Sequence, residues 1–293
     1  MKILVYGYKV KTKDIEIIKE VFSSLKKKKH EVFVTAEYGT QLKSANINTS
    51  SIGRIKNHND VIKVNPDFVF SLGGDGTILR TVTLVRGLNI PIVGINLGRM
   101  GFLANIEQKL VSTAIDQIER GMYTLDQRKL LYLESNKPIF GETPFALNDF
   151  TLLKRDTSAM VVIHAYINGD FLNSYWADGI ILSTPTGSTG YSLSCGGPIV
   201  FPNSGNFVLT PVAPHNLNVR PIIIPDTSVV SFEIEGRSDT FLSTLDSRHE
   251  TIDATFNLAI RKCDFEISLV QLHGMTFLKT IQEKLTWGAD IRN

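Results

Sequence analysis

The chain has 293 residues, of which 43% are hydrophobic and 20% charged, with a formal net charge of +2. This composition is typical of a soluble globular protein with one large or two ordinary domains, and the small net charge argues against a nucleic-acid-binding protein. No stretch approaches the roughly 20 apolar residues that a membrane span needs. The two cysteines form no disulfide or CxxC pattern, so we expect a cytoplasmic protein.

The first hundred residues alternate apolar runs with helical patterns. The strand-like runs are KILVYGY, EVFVTAEY, DFVFSL and IPIVGINL. One helical face carries Ile15, Ile18, Phe22 and Leu25. A second helix is predicted over Thr77–Leu84, whereas the polar stretch 39–59 is weakly patterned and predicts a mobile loop or a poorly ordered helix. This alternation predicts a Rossmann-like parallel sheet covered on both faces.

From about residue 129 the pattern changes to short strands separated by polar turns, which is typical of an antiparallel sandwich. Asn168-Gly169 lies between two β-rich runs and predicts a hairpin. Near the end, apolar residues four apart predict a last helix. The sequence therefore predicts an α/β domain at 1–125, a β-sandwich domain at 126–275 and a C-terminal helix at 276–293 that packs back on the first domain.

The motif LGGDGTILR at 72–80 follows a predicted strand, at the end where parallel sheets collect ligands. It matches neither the Walker A nor the GxGxxG pattern. A glycine turn at a helix start suits a phosphate, so the acid Asp75 is unexpected there. Either Asp75 caps the helix, or it holds a metal ion or takes a proton from a hydroxyl during phosphoryl transfer. The second interpretation predicts a kinase that phosphorylates an alcohol.

A second motif, ADGIILSTPTGSTGYSLSCGGPIV at 177–200, packs hydroxyls and glycines behind a strand. It is either a plain turn or a bed of small donors, in which Asp178 accepts hydrogen bonds from sugar or adenine groups and Tyr191 stacks on a base. GSTG is not the GxSxG elbow, so a serine nucleophile is not predicted. The six histidines show no ligand spacing, so no structural metal site is predicted.

Together the two motifs resemble those of the NAD kinases, which transfer a phosphoryl group from ATP to the ribose 2'-hydroxyl of NAD. The matching segments follow the family's order and are GGDGTILR at 73–80, GINLGRMGFLA at 94–104, the Asn148-Asp149 pair, ADGIILSTPTGSTGYSLSCGGPI at 177–199 and TPVAPHNLNVRP at 210–221. STPTGSTGYSLS is specific to the family, whereas the GGDGT loop is shared with related lipid kinases and phosphofructokinases. The resemblance covers most of the chain beyond residue 67.

The resemblance implies a role for each matching residue. Asp75 is expected to take the 2'-hydroxyl proton, with Gly76 lining the site and Arg80 close to the phosphates. Asn148 and Asp149 match an Asn-Glu pair that holds the adenosine ribose, and the acid here is one methylene shorter. The resemblance assigns the nicotinamide contact to Asp178, the adenine-binding turn to Thr189, Gly190, Tyr191, Ser192, Leu193 and Ser194, and a pocket wall to Ala213.

Two positions depart from the family pattern. Trp176 stands two residues before Asp178, where many relatives carry Arg or Lys, and we include it among the ligand-contacting residues. Asp246-Ser247-Arg248 replaces a Gly followed by Gln or Asn. Arg248 is expected either to reach a phosphate or a neighbouring subunit, or to lie exposed at a hairpin tip.

The resemblance also implies ATP and NAD as substrates, a divalent cation (Mg²⁺) that arrives with ATP, and a homodimer or homotetramer. Neither a nucleic acid nor a membrane is an expected partner. Two alternatives stay open from the residues: a related GGDGT-type lipid or sugar kinase, and a non-catalytic sensor of NADP. The hydroxyl-rich turn argues against the first alternative, and an acid placed against phosphates argues against the second.

Overall fold

A computed structural model of the protein describes residues 1–98, 101–155, 161–236 and 240–288. The chain divides into two units: residues 1–127 with 267–293 form the first, and residues 128–266 form the second. Within the described ranges, no helix combines the length and the apolar character that crossing a membrane would require.

The first unit is built on a parallel sheet. Its strands are β1 (Lys2–Gly7), β2 (Glu31–Thr35), β3 (Gly53–Ile55), β4 (Phe68–Leu72) and β5 (Ile92–Ile95). Its helices are α1 (Ile15–Lys27), α2 (Ala36–Ser44), α3 (His58–Val64), α4 (Asp75–Val85) and α5 (Val111–Glu119), with 3₁₀ turns at Thr12–Asp14 and Gln108–Leu110. The strand order is β5-β4-β1-β2-β3, and every pair is parallel. The predicted α/β fold is confirmed.

Burial on both faces explains why these segments form a parallel sheet. Every residue of β4 is buried, and strands covered on both faces read as continuous apolar runs. The helix α1 places Ile18, Val21 and Leu25 in the core, each fully buried. Each such side chain stabilises the fold by roughly 1.5–3 kcal/mol. This packing fixes the carboxyl end of β4, where the glycine turn begins.

The stretch 39–59 is more regular than the sequence predicts. It holds most of α2, all of β3 and the start of α3. Of the two predicted alternatives, the mobile loop is therefore wrong, and the helix is correct for the part that belongs to α2. The strand predicted over EVFVTAEY ends at Thr35, whose side chain accepts a hydrogen bond from Tyr38 N–H and caps α2. Tyr38 and Leu42 are fully buried. Two deeply buried residues hold this helix, which a weak hydrophobic pattern did not reveal.

The strand β6 (Tyr123–Ser135) leads from the first unit into the second. The further strands are β7 (Phe145–Ala146), β8 (Asp149–Lys154), β9 (Val161–Ile167), β10 (Asp170–Ala177), β11 (Gly179–Ser183), β12 (Asn206–Val212), β13 (Ile222–Pro225), β14 (Val230–Gly236), β15 (Phe241–Leu245), β16 (Arg248–Ile252) and β17 (Leu258–Leu272). A 3₁₀ turn at Gly187–Thr189 precedes the short helix α6 (Tyr191–Ser194). The helix α7 (Phe277–Leu285) closes the described chain.

The second unit is an antiparallel sandwich. One layer has the order β13-β12-β11-β8-β15-β16, and the other places β10, β9, β14 and β17 side by side. The layers meet where the ring of Phe150 stacks on that of Phe232, with centroids 5.8 Å apart. Asn168 and Gly169 join β9 to β10 with φ angles of 53° and 91°, as a two-residue hairpin turn requires. The predicted sandwich and hairpin are confirmed.

The end of the chain returns to the first unit. The last part of β17 pairs in parallel with β5 through Leu269 and Ile92. Lys279 and Glu283 of α7 line a small cavity together with Glu107. The predicted return of the C-terminal helix is confirmed.

Replacing Phe150 with alanine should lower the free energy of unfolding by about 3–5 kcal/mol, because it leaves a cavity between the two layers. Urea denaturation measures this loss. Phe171→Ala is the control, since its side chain is 60% exposed and the change should cost less than about 1 kcal/mol. Equal losses in the two variants would contradict the central position of Phe150.

Candidate active site

The glycine turn connects β4 to α4. Gly73 lacks a side chain by necessity, because a Cβ there would lie 2.1 Å from Thr77 Oγ1. At Gly74 and Gly76, by contrast, a Cβ would meet none of the described residues within 4 Å. The helix α4 begins at Asp75, so the N–H groups of Asp75 and Gly76 have no partner inside the helix, whereas Thr77 N–H donates to the Gly74 carbonyl at 2.9 Å. An anion beside Gly74 and Gly76 would meet these groups and the positive end of the helix dipole.

The Asp75 carboxylate accepts three hydrogen bonds from backbone N–H groups. Its Oδ2 accepts from Phe102 at 2.8 Å, and its Oδ1 accepts from Leu103 and Ala104, each at 3.0 Å. Gly101 leaves room for this contact, since a Cβ there would lie 1.9 Å from Oδ1. A carboxylate has about four acceptor positions. Asp75 is therefore held in one orientation with one acceptor position left.

Asn96 supports the same loop, which belongs to the motif GINLGRMGFLA. Its Nδ2 donates to the Ala104 carbonyl at 3.1 Å, and its Oδ1 accepts from Gly98 N–H at 2.6 Å. The Asn96 side chain is 2% exposed. Arg99 and Met100 of this motif lie outside the described residues. The loop facing Asp75 is thus held from both sides.

Arg80 lies on α4, five residues after Asp75, and is exposed. Its guanidinium carbon lies 4.0 Å from the centroid of the Tyr8 ring, a distance at which a cation is attracted to an aromatic face. This contact leaves the guanidinium edge open to solvent and to an anion. The first unit therefore brings together Asp75, Gly76 and Arg80 on the first turns of one helix.

In the second unit, the hydroxyl-rich turn after β11 packs against the residues that precede β8. Thr184 Oγ1 donates to the Leu147 carbonyl at 2.6 Å. Gly187 approaches the Asn148 backbone so closely that a Cβ would lie 2.0 Å from its carbonyl oxygen. These contacts fix the turn beside Asn148, which the sequence assigns to the same site.

Two hydroxyls of this turn act within the protein, contrary to the expectation that they face a ligand. Thr189 Oγ1 donates to the Thr186 carbonyl at 3.2 Å. The Ser192 side chain is fully buried, with its Oγ 2.8 Å from Thr210 Oγ1. The physical reason is that hydroxyls in tight turns readily bond to nearby backbone and buried groups. The exposed or partly exposed members of the turn are Thr189, Gly190, Tyr191, Leu193 and Ser194.

The carboxylate of Asp246 positions the Asn148-Asp149 pair. It accepts hydrogen bonds from the N–H groups of Leu147 at 3.0 Å, Asn148 at 2.7 Å and Asp149 at 3.3 Å. In return, Asp246 N–H donates to the Asp149 carbonyl at 2.9 Å. Asp246 has a φ of 54°, a left-handed conformation that aspartate tolerates better than most residues. This position of the family pattern is therefore structural in this chain.

The side chain of Asp149 is buried yet lacks a hydrogen-bond partner among the described residues. The residue is 7% exposed, and its Oδ2 lies 3.7 Å from where a Cβ on Gly190 would stand. Burial, and secondly the charge of Asp246, raise the pKa of Asp149 to about 7. The carboxyl group is thus free to bind a hydroxyl and is part protonated at neutral pH.

Asp178 and Tyr191 lie in the same electrostatic environment. Asp178 Oδ1 is 2.5 Å from Lys154 Nζ, and its side chain is 40% exposed. Burial and the neighbouring Cys195 raise the pKa of Tyr191, and the charges of Asp178 and Asp149 add to the increase. The exposed phenol ring of Tyr191 therefore stands beside two carboxyl groups.

Two further predicted residues lie at the surface of the second unit. Trp176 is 48% exposed, and its carbonyl accepts from His215 N–H at 2.8 Å. Ala213 is exposed and has a φ of 45°, a left-handed conformation that is costly for a residue other than Gly, Asn or Asp. Both are accessible to a ligand.

The Arg248 side chain is neither exposed at a hairpin tip nor without partners. Its guanidinium donates to the carbonyls of Thr143 and Phe145 and lies over the Phe140 and Phe145 rings. The residue is partly buried. The expected contact with a phosphate or a second subunit is therefore not supported, because these bonds already occupy the side chain.

The comparisons with known proteins agree with these motifs. Residues 5–123 match the family model of the ATP-NAD kinase N-terminal domain, and residues 147–272 match that of the C-terminal domain. The chain belongs to the NAD kinase family. It is similar to the NAD kinase of Cytophaga hutchinsonii, with 46% identity over 98% of both chains. It is also similar to that of Flavobacterium psychrophilum, with 41% identity over the full length of both.

Two solved structures of related kinases have the same fold as this chain. The crystal structure of yeast NADH kinase complexed with NADH has a TM-score of 0.86 and 22% identity, over 100% of this chain and 89% of that one. The NAD kinase of Archaeoglobus fulgidus in complex with ATP has a TM-score of 0.74 and 22% identity, over 98% and 99% of the two chains.

Sequence reasoning missed three residues that support the site. Asn96 and Asp246 hold backbone segments through their side chains, and Lys154 pairs with Asp178. Asn96 lies inside the quoted motif GINLGRMGFLA, and Asp246 lies at a departure from the family pattern, so both positions carried a signal. Lys154 had none, because its partner is 24 residues away in sequence.

Gly101→Ala should lower the free energy of unfolding by about 1–3 kcal/mol, because the added methyl group displaces the Asp75 carboxylate from three N–H groups. Urea denaturation measures it. The matched control is Gly76→Ala, whose methyl group meets open space and whose helical position makes the change neutral or slightly stabilising. A stable Gly101→Ala variant would show that the loop does not depend on Asp75.

The pKa of Asp149 predicts how stability depends on pH. Its folded-state pKa of about 7 is above the usual value near 3.9, so the folded protein binds this proton more tightly. The free energy of unfolding of wild type, minus that of Asp149→Asn, should therefore fall as pH rises from about 4 to about 7. The decrease should be up to about 4 kcal/mol. Chemical denaturation across this range measures the trend.

The exposed Asp170 supplies the control for this titration. The difference between wild type and Asp170→Asn should stay nearly constant over the same pH range, because this carboxylate is exposed to solvent in the folded protein. An Asp149 difference that rose with pH would mean that the ionised carboxylate stabilises the fold, contrary to its burial without a partner.

Proposed function

We propose that this protein is an NAD kinase that transfers the γ-phosphoryl group of ATP to the 2'-hydroxyl of the adenosine ribose of NAD, giving NADP. Membership of the family supports this reaction class. The observation that carries the proposal is the Asp75 carboxylate, which three backbone N–H groups hold at the start of a helix beside two open glycines.

We assign to Asp75 the role of general base. An alcohol attacks a phosphoryl group better when a positioned acid takes its proton, and this help is worth about 10²–10⁴ in rate. The three N–H groups leave one acceptor position on the carboxylate, which would receive the 2'-hydroxyl. The same bonds fix the carboxylate before the substrate arrives, so little reorganisation accompanies proton transfer.

The phosphates of ATP and NAD would bind where Gly74 and Gly76 expose the first turn of α4. Arg80 would add a cation, with its guanidinium placed by the Tyr8 ring. Mg²⁺ would enter as part of the ATP complex, because no group of three or more His, Cys, Asp or Glu side chains in the described chain could hold a metal ion. Its ligands would then be mainly phosphate oxygens and water.

The adenosine part of NAD would bind to residues of the second unit. Asn148 and the unpartnered Asp149 would receive the ribose hydroxyls, which satisfies a buried carboxyl group that otherwise lacks a partner. The backbone of Gly190 and the ring of Tyr191 would contact the adenine, together with Leu193 and Ser194. For Thr189 and Ser192, the proposal assigns support of this turn through their hydroxyls.

The nicotinamide part would contact Asp178, with Ala213 lining the pocket. Trp176 stands where many relatives carry a cation. In this chain Lys154 supplies a cation nearby, with its Nζ 2.5 Å from Asp178 Oδ1. The ammonium group of Lys154 would orient the carboxylate rather than bind a phosphate itself. The proposal also includes a cytoplasmic location. It further includes a homodimer or homotetramer, and light scattering of the pure protein would test this oligomeric state.

A related lipid or sugar kinase is the alternative reaction within the wider GGDGT group, and a pure NADP sensor is the alternative without chemistry. One assay separates them. The pure protein is incubated with ATP, Mg²⁺ and either NAD, a sugar or a diacylglycerol; the ADP released is measured for every acceptor, and NADP formed from NAD is detected with an NADP-dependent dehydrogenase. Binding of NAD without formation of NADP would contradict the proposal.

Asp75→Asn should bind NAD within a few-fold of wild type and lose about 10²–10⁴ in kcat, because the amide cannot accept the hydroxyl proton. Steady-state kinetics and calorimetry measure the two effects. Glu16→Gln is the control, since this acid also lies in the first turn of a helix but is paired with Lys19 at the surface. Normal turnover of Asp75→Asn would contradict the general-base role.

A further inference from the structure

The first unit contains a cavity of about 490 Å³ that the proposed reaction does not use. It lies between α1, the start of β2 and the segment that joins α2 to β3. The glycine turn, by contrast, follows the carboxyl end of β4. Because β4, β1 and β2 are parallel neighbours, their amino ends lie together and their carboxyl ends lie together. The amino end of β2 and the carboxyl end of β4 are therefore at opposite ends of the strands.

The inner wall of this cavity is apolar. Phe22 of α1, Val32 of β2 and Ile47 each line it and are 6–9% exposed. Ile52 lines it as well and packs against the core of the unit. These side chains already belong to the folded core, so a ligand would meet a preformed apolar surface. Apolar walls with a few polar groups are typical of small-molecule pockets, whose volumes are roughly 300–1,000 Å³.

The rim of the cavity is cationic. Lys19 lines it but is paired with Glu16 at 2.9 Å. Lys26 and Lys29 also line it, and neither makes an ion pair with any residue that the structure describes. Glu31 is the acid that faces them.

The remaining titratable group of the cavity is His30, and it adds no charge at neutral pH. Burial, followed by the N-terminal amine and opposed by Glu119, lowers the pKa of His30. Its imidazole Nε2 lies 3.0 Å from the Glu119 carboxylate. The free charge at the rim is therefore that of two lysines against one glutamate.

Lys29 is kept at this rim in an unfavourable backbone conformation. Its φ is 59°, a left-handed value that glycine or asparagine usually supplies just after a helix. Any other residue is strained in this conformation. The chain thus carries a cation where a neutral residue would fit the backbone better.

We propose that this cavity binds an anionic amphiphile, a molecule with a carboxylate or phosphate head on an aliphatic body. The aliphatic body lies against Phe22, Val32 and Ile47, and the head group meets the ammonium groups of Lys26 and Lys29. An uncharged apolar ligand would leave both lysines unused, and a small inorganic anion would leave the apolar wall exposed. This site is independent of the NAD kinase reaction.

Isothermal titration of the full-length protein with decanoate, without NAD or ATP, tests the proposal. We expect saturable binding with a stoichiometry of one. The double variant Lys26→Gln/Lys29→Gln should bind at least about tenfold more weakly, because the anionic head group loses both of its charge-assisted contacts. Decyl phosphate should bind with an affinity similar to that of decanoate, because both head groups are anions that meet the same two lysines.

The control is Lys13→Gln/Lys27→Gln, which removes the same charge from two exposed lysines that do not line the cavity. Its affinity for decanoate should match that of wild type. Three results would overturn the proposal: no saturable binding, equal affinity for decan-1-ol, and equal affinity for inorganic phosphate. Equal losses in the two double variants would also overturn it, because binding would then depend on net charge rather than on this rim. NADP formation is assayed separately, so the two proposals succeed or fail independently.

Discussion

The bonds between the Asp75 carboxylate and three consecutive backbone N–H groups constrain the first unit's site. They join the start of α4 to the segment 102–104, which lies far along the chain. The close approach requires Gly101, and Asn96 keeps the loop in place from the other side. Because charge-assisted hydrogen bonds are roughly twice as strong as neutral ones, this one side chain orders the loop that faces the glycine turn.

In the second unit, too, one aspartate carboxylate holds a backbone segment through three N–H groups. Asp246 also accepts from three consecutive N–H groups, and these belong to the segment 147–149. Burial raises the pKa of both Asp246 and Asp149. The N–H bonds to Asp246 and the charge of Arg248 oppose this increase, whereas Asp149 has no such compensation. Asp246 thus holds a backbone segment through its carboxylate, and the neighbouring Asp149 carboxyl group has no hydrogen-bond partner among the described residues.

Much of the fold could be read from the sequence, because periodicity and turn chemistry are local. The buried run of β4 and the Asn168-Gly169 turn both gave the correct element. The helix α2 could not be read, since it depends on Tyr38 and Leu42 reaching a core that only tertiary packing creates. For the site, motifs indicated which segments matter. They did not reveal that Arg248 turns inward or that Asp246 holds a backbone segment, since both depend on residues about a hundred positions away.

The internal bonding of the hydroxyl-rich turn has a consequence for recognition. Thr184, Thr189 and Ser192 each use their hydroxyl within the unit. These bonds hold the turn in one shape, so the entropy of ordering it is lost during folding. Shape and backbone groups, rather than a set of adaptable hydroxyls, would then select the ligand. Discrimination of this kind is strict toward molecules that do not fit and loses little affinity for the one that does.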